Sequence, residues 1–174
     1  MSQPDAIQIR HLTTLDASHI TALADLLIDC VDSGASVSFL HPLSQTRALA
    51  FWHKVAVGVA ATERALLVAQ DRSGIVGTVQ LVLDQPENQL HRADLSKLLV
   101  HRRTRRSGVG EALMRAVEPL AKQHGKSLLV LDTASSDAER LYERLEWQRV
   151  GAIPGYALKA RGGLEATTLY YKVL

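Results

Sequence analysis

A single cysteine, Cys30, stands in 174 residues. No disulfide can close within the chain, which excludes a small secreted scaffold held by bridges. An excess of charge of one sign is missing too. Twenty Lys and Arg against 18 Asp and Glu leave a net +2, too little for a general attraction to nucleic acid or a membrane surface. The longest run of small apolar residues, VAVGVAA at 55–61, falls far short of the roughly 20 residues a bilayer span requires. The start MSQPDAIQIR lacks the apolar stretch of a secretory signal, so the cytoplasm is the expected location. The seven histidines stand singly, with no Cys/His pair at zinc spacing, and no metal is expected.

The apolar fraction of 47% and charged fraction of 22% belong to a chain that folds alone, and residues 1–174 are read as one domain. Residues 6–12 alternate as a first strand, β1. Asp16 or Ser18 then caps a helix, α1, carrying Ile20, Leu23, Leu26, Leu27 and Cys30 at helical spacing. A small, polar loop leads to a second helix, α2, over about 44–62, whose far end Gly58 weakens. Residues 65–71 and 75–85 flank a short turn as a hairpin, β2 and β3. The next strand, β4 at 93–100, breaks its own alternation: Leu95 lies in one parity class, Leu98 and Val100 in the other. That break predicts a bulge.

Val109, Ala112, Leu113, Ala116, Val117 and Leu120 form an amphipathic helix, α3, ending near Gly125 with Pro119 inside it. A continuous apolar strand β5 (127–133), a short helix α4 (137–145), a strand β6 (147–152), a Gly/Pro loop (153–163) and a last strand β7 (166–174) follow. The order βααβββαβαββ describes a mixed α/β fold. One mostly antiparallel twisted sheet contains a parallel β4/β5 pair joined through α3, with helices flanking it.

Between β4 and α3 lie four arginines in five residues (Arg102, Arg103, Arg105, Arg106), then Ser107-Gly108-Val109-Gly110. A strand turning directly into a helix presents unpaired N–H groups at the positive end of the helix dipole. That is an anion site, and the glycines and arginines suit a pyrophosphate. The Rossmann pattern fails because Leu113 stands where its last glycine is needed, and no Gly-Lys-Ser or Gly-Lys-Thr of a P-loop occurs. A solvated basic turn or a nucleic-acid patch is the plainer reading. The latter lacks an accompanying aromatic strand pattern.

The R-x-x-G-x-G turn between strand and helix, together with the element order, resembles the acetyl-CoA pyrophosphate motif of the GNAT superfamily of N-acetyltransferases. Residues 135–147, SSDAERLYERLEW, resemble a second segment of that family, Asn-x-x-Ala-x-x-Leu-Tyr-x-x-x-Gly-Phe. Ser135 stands for the asparagine and Glu146 for the glycine. Within the superfamily, SGASVSF, HRADLSKLLV, LLVLDT, RVGAIPGY and LYYKVL look similar to the tabtoxin-resistance branch.

The resemblance implies acetyl-CoA as co-substrate, held by Arg105, Arg106, Ser107, Gly108, Val109 and Gly110. The backbone of Leu98, Leu99 and Val100 and the side chain Ser135 complete that set. It implies transfer of acetyl to the amine of a small molecule, an amino-acid-like toxin or antibiotic of the tabtoxinine-β-lactam type, and a homodimer. Rivals are a polyamine, aminoglycoside or protein amine as acceptor, or a CoA-binding sensor without turnover. An alkylammonium of pKa about 10.4 must lose a proton before attack, and Asp94 and Asp132 are alternative acceptors. Tyr142 is the candidate acid for the departing thiolate. An N–H freed by the bulge near Leu98 or Leu99 suits the thioester oxygen. Ser36, Phe39, Tyr156 and Tyr170 are expected to line the acceptor pocket.

Overall fold

Asp16 starts the first helix through a capping box: its carboxylate accepts from the His19 N–H at 2.9 Å. Ser44 likewise caps the second, accepting from Arg47 N–H at 3.3 Å. The chain is described by a computed structural model covering residues 6–174. Its elements are β1 (Gln8–Leu12), α1 (Ala17–Asp32), α2 (Gln45–Ala60), β2 (Arg64–Asp71), β3 (Gly74–Val82), β4 (Arg92–Val100), α3 (Val109–Gln123), β5 (Leu128–Thr133), α4 (Ser136–Arg144), β6 (Gln148–Leu158) and β7 (Leu164–Val173). Gly58 lies inside α2 rather than ending it. Pro119 sits on the exposed side of an unbroken α3, where a missing hydrogen bond is tolerated as outward curvature.

The seven strands form one sheet in the order β1-β2-β3-β4-β5-β7-β6, antiparallel except for β4 and β5. Each face carries its own core. Leu113, Met114 and Val117 of α3 and Tyr142 of α4 cover one face, packed on Ala93, Leu95, Leu129 and Leu131. Leu23, Leu27, Trp52 and Val55 of α1 and α2 cover the other, packed on Leu66, Val68 and Leu99.

The bulge in β4 falls at Lys97, whose φ is +53°. The β3/β4 register jumps there from Gln80↔Ser96 to Thr78↔Leu99. This resolves the parity break, because the extra residue returns Leu98 and Val100 to the face of Leu95 and sends Leu99 to the other. One expectation is corrected. Residues 153–158, read as loop, belong to β6: the register slips between Ile153 and Ala157, so Pro154 and Gly155 bulge out and pairing resumes with Ala157↔Glu165. The loop shortens to residues 159–163.

Candidate functional site

The turn from β4 into α3 is built by backbone conformation. Arg106 and Gly108 both have positive φ, +61° and +86°, and Val109 opens the helix with no side-chain cap on its first turn. The leading N–H groups of α3 are therefore left for another acceptor. The four arginines do not all surround that point. Arg102 is held by Asp29 of α1, whose carboxylate accepts from its backbone N–H at 3.0 Å and from its guanidinium. Arg103 is held by Asp71 at 2.7 Å, and its hydrogen bonds push that carboxyl down to about 2. Both are thus tied into the scaffold. Arg105 folds back, donating from Nε to the Val100 carbonyl at 3.3 Å, while Arg106 is almost fully exposed, 3.9 Å from Asp137. Gly110 has a packing reason: a Cβ there would lie 3.3 Å from Leu141 Cδ2.

This turn stands at the mouth of a cleft. β4 and β5 pair only from Arg92↔Leu128 to Asp94↔Val130. Beyond that, β4 continues with β3 alone and β5 with β7 alone, so the sheet opens as a V toward the start of α3. Leu98, Leu99 and Val100 lie on the open arm of β4. Their side chains pack into the two cores, so what they offer the cleft is backbone.

The two carboxylates share a sheet face, one before the split and one after it. Asp94 accepts from Arg92 and, at 3.1 Å, from Gln85 Nε2. Asp132 is exposed on the β5 arm. One of its oxygens accepts from Thr167 Oγ1 at 2.7 Å, and the other has no hydrogen-bond partner among the described residues. Tyr142 is 4% exposed, packed between Trp147 and Tyr170. Burial first, then Asp132 and Tyr170, push its phenol well above the ordinary value. Ser135 caps α4, accepting from Ala138 N–H at 3.3 Å.

Tyr170 does not line an acceptor surface. It is fully buried on the α4 face, and its hydroxyl is 3.0 Å from Glu139 and 3.2 Å from Glu143. Burial followed by these contacts pushes it up to about 12. Ser36 is exposed in the α1–α2 loop, and Phe39 packs edge-on against Phe51 at 5.3 Å. Tyr156 is exposed on the bulged part of β6. The α1–α2 loop and the β6–β7 turn meet: the N–H of His41 donates to the Ala160 carbonyl at 2.7 Å and Arg161 donates to the Asp32 carbonyl at 3.2 Å.

Sequence reasoning missed the cations on this side of the sheet. Lys97 reaches from the bulge to Ser38 Oγ at 3.1 Å and lies 5.8 Å over the Phe51 ring. Arg64 on β2 donates to Gln80 Oε1 at 3.0 Å. The parity break marked the bulge, yet alternation says nothing about where the extra side chain reaches.

Residues 62–149 match the family model described as an acetyltransferase (GNAT) domain. Human N-acetyltransferase 8B is 36% identical over 87 residues, 48% of this chain but only 38% of that protein's length. Among solved structures, a ribosomal-protein-alanine N-acetyltransferase from Brucella melitensis superimposes with a TM-score of 0.81 at 19% identity, covering 96% of this chain and 99% of the other. A phosphinothricin acetyltransferase from Sinorhizobium meliloti, in complex with acetyl-CoA, gives 0.78 at 15% identity, covering 97% and 88%.

Proposed function

The chain belongs to the acetyltransferase (GNAT) family, and from that premise we propose that it transfers the acetyl group of acetyl-CoA to the amine of a small molecule. The observation that carries this is the open V between β4 and β5, with an uncapped helix N-terminus at its mouth. The donor set fits the co-substrate, since backbone N–H groups at a positive helix end suit a pyrophosphate. Arg106, Ser107, Gly108, Val109 and Gly110 would hold that group, with Arg105 bracing the turn through Val100. Backbone of Leu98, Leu99 and Val100 and the hydroxyl of Ser135 would line the arm behind it. Acetyl-CoA supplies an activated acyl thioester.

The chain's own residues supply the proton handling. We assign Asp132 as the acceptor of the ammonium proton, because it is exposed past the β4/β5 split with one oxygen free of hydrogen bonds among the described residues, whereas Asp94 is held by Arg92 and Gln85. A backbone N–H at Leu98 or Leu99, on the arm of β4 that has no β5 partner, would polarise the thioester carbonyl. Burial first, then Asp132 and Tyr170, keep the Tyr142 phenol protonated. We assign it as the donor to the departing thiolate on the family resemblance, and neutralising Asp132 as it takes the ammonium proton removes one of the groups that oppose that donation.

The acceptor we propose is an amino-acid-like compound of the tabtoxinine-β-lactam type, which would make the activity one of antibiotic resistance. This rests on the sequence resemblance. Residues 1–174 would act as one domain in the cytoplasm. A pair of chains is proposed on the same resemblance and on the exposed Val150, Ile153, Leu158 and Leu164 of the β6–β7 hairpin; a monomer by sedimentation would retire it. The function is tested by thiol release from acetyl-CoA across tabtoxinine-β-lactam, amino acids, polyamines, aminoglycosides and a lysine peptide. Release with the first two classes is expected. Release with polyamines, aminoglycosides or the peptide alone would overturn the acceptor assignment, and no acetyl-CoA binding would overturn the reading itself.

A further inference from the structure

The α1/α2 side of the cleft holds two cations that make no ion pair among the described residues. Among the described residues, Lys97 has Ser38 Oγ and the Phe51 ring as its contacts, and Arg64 has Gln80 Oε1. Neither has an ion-pair partner within 4.0 Å among those residues, although Arg92, Arg102 and Arg103 all do. Gln80 is fully buried, and among the described residues its amide nitrogen finds no acceptor. The patch is rich in donors and short of acceptors, the opposite of what burial alone would select.

The backbone around it is held in unusual conformations. Lys97 (φ +53°) and Ser38 (φ +73°) are both non-glycine residues with positive φ, and they meet through the 3.1 Å contact. Two such residues in one hydrogen bond mark a place where geometry is kept at a cost. Gly58 of α2 makes room for Arg64, since a Cβ there would lie 3.0 Å from Arg64 Cδ. The charge pattern across the V is polar in one direction. Burial lowers the pKa of Lys97, Asp132 on the far arm favours its ammonium and Arg64 opposes it.

We propose that Lys97, backed by Arg64, binds a carboxylate of the acceptor while Asp132 on the opposite arm faces its amine, so that the site selects α-amino acids over plain amines. This rests on the acetyl-transfer reading given above and names the group that reading leaves open. Lys97 is a specificity determinant here: it supplies a charge-assisted contact present in ground and transition states alike, so its loss appears in KM more than in kcat.

The test pairs each of the twenty amino acids with its α-carboxamide, which keeps the amine and removes the negative charge. Acetyl transfer is followed by thiol release, and binding to the CoA-loaded protein by calorimetry. For at least one pair the wild-type protein is expected to prefer the carboxylate by about 10- to 100-fold in KM or Kd. Lys97→Met should bring that ratio near one, and Lys97→Arg should keep most of it. A lysine that merely pins the α1–α2 loop would, on removal, weaken both members of each pair equally and leave the ratio unchanged. That result overturns the proposal, as does a wild-type ratio near one in both turnover and binding. If Lys97→Met does not fold, Arg64→Gln is expected to lower the same ratio, and its failure to do so counts equally against the subsite. A binding preference without thiol release from any amine would leave the subsite standing and retire the acetyl-transfer reading instead.

Discussion

Asp94 and Asp132 are the same side chain on the same face of the sheet, and their neighbours separate them. Asp94 lies where β4 and β5 still pair, with Arg92 and Gln85 as its partners, so both of its oxygens are already engaged. Asp132 lies past the split, and Thr167 occupies only one of its oxygens. Asp132→Asn is therefore expected to lower kcat by about 100-fold or more, the range of a positioned base, with acetyl-CoA binding unchanged. Asp94→Asn should lose less than about 10-fold and show its effect as a lower melting temperature, because Arg92 loses its carboxylate partner and is left with the neutral Gln89 amide oxygen. Steady-state rates and calorimetry on the two variants decide the matter, and the reverse order would assign the base to Asp94. Tyr142→Phe belongs to the same comparison. Its loss should fall on kcat, since the ring keeps its packing against Trp147 and Tyr170.

Elements were legible in the sequence wherever periodicity and caps carry the information. Asp16, Ser44 and Gly125 stand where α1 and α2 begin and α3 ends, and the parity break in β4 located its bulge. The end of β6 was illegible because Pro154 and Gly155 read as loop residues. Pairing with β7 carries the strand past them, and tertiary pairing leaves no local mark. The splitting of Arg102 and Arg103 from Arg105 and Arg106 was hidden for a similar reason, since Asp29 and Asp71 lie 73 and 32 residues away. At the end of α4 a substitution noted in sequence acquires a physical consequence. The N–H groups of Glu146 and Trp147 donate to the carbonyls of Glu143 and Tyr142, both at 3.0 Å, a Schellman ending that puts Glu146 at φ +64°. A side chain there costs about 1–2 kcal/mol, partly offset by the larger freedom glycine loses on folding. Glu146→Gly is thus expected to stabilise the protein by about 0.5–1 kcal/mol, raising Tm by roughly 1–4 °C for a chain this size. A lower Tm in calorimetry would mean that the Glu146 carboxylate gains more from Arg115, Arg144 and Lys172, which line the same groove, than its backbone loses.

Across the whole molecule, the turn that opens the cleft is fixed from outside itself. Arg102 ties it to α1 and Arg103 ties it to the β2–β3 hairpin, so the position of the α3 N-terminus depends on both layers of the fold. The Arg103–Asp71 tie gives this arrangement a pH dependence. Hydrogen bonds from Arg103, and then those of Ser73, hold the Asp71 carboxyl at about 2 in the folded protein, below the value of about 3.9 expected when unfolded. A group depressed on folding binds fewer protons in the native state, so its contribution is complete above about pH 4 and disappears as pH falls through about 2. Arg103→Gln removes the main cause of the depression. The stability difference between wild type and this variant, measured by urea unfolding at successive pH values, should stay constant from neutrality to about pH 4.5 and shrink steadily below it. A difference that persists to pH 2 would show that Arg103 stabilises the turn by packing rather than through the ionised Asp71. The tie would then fix the cleft mouth at every pH at which the chain stays folded.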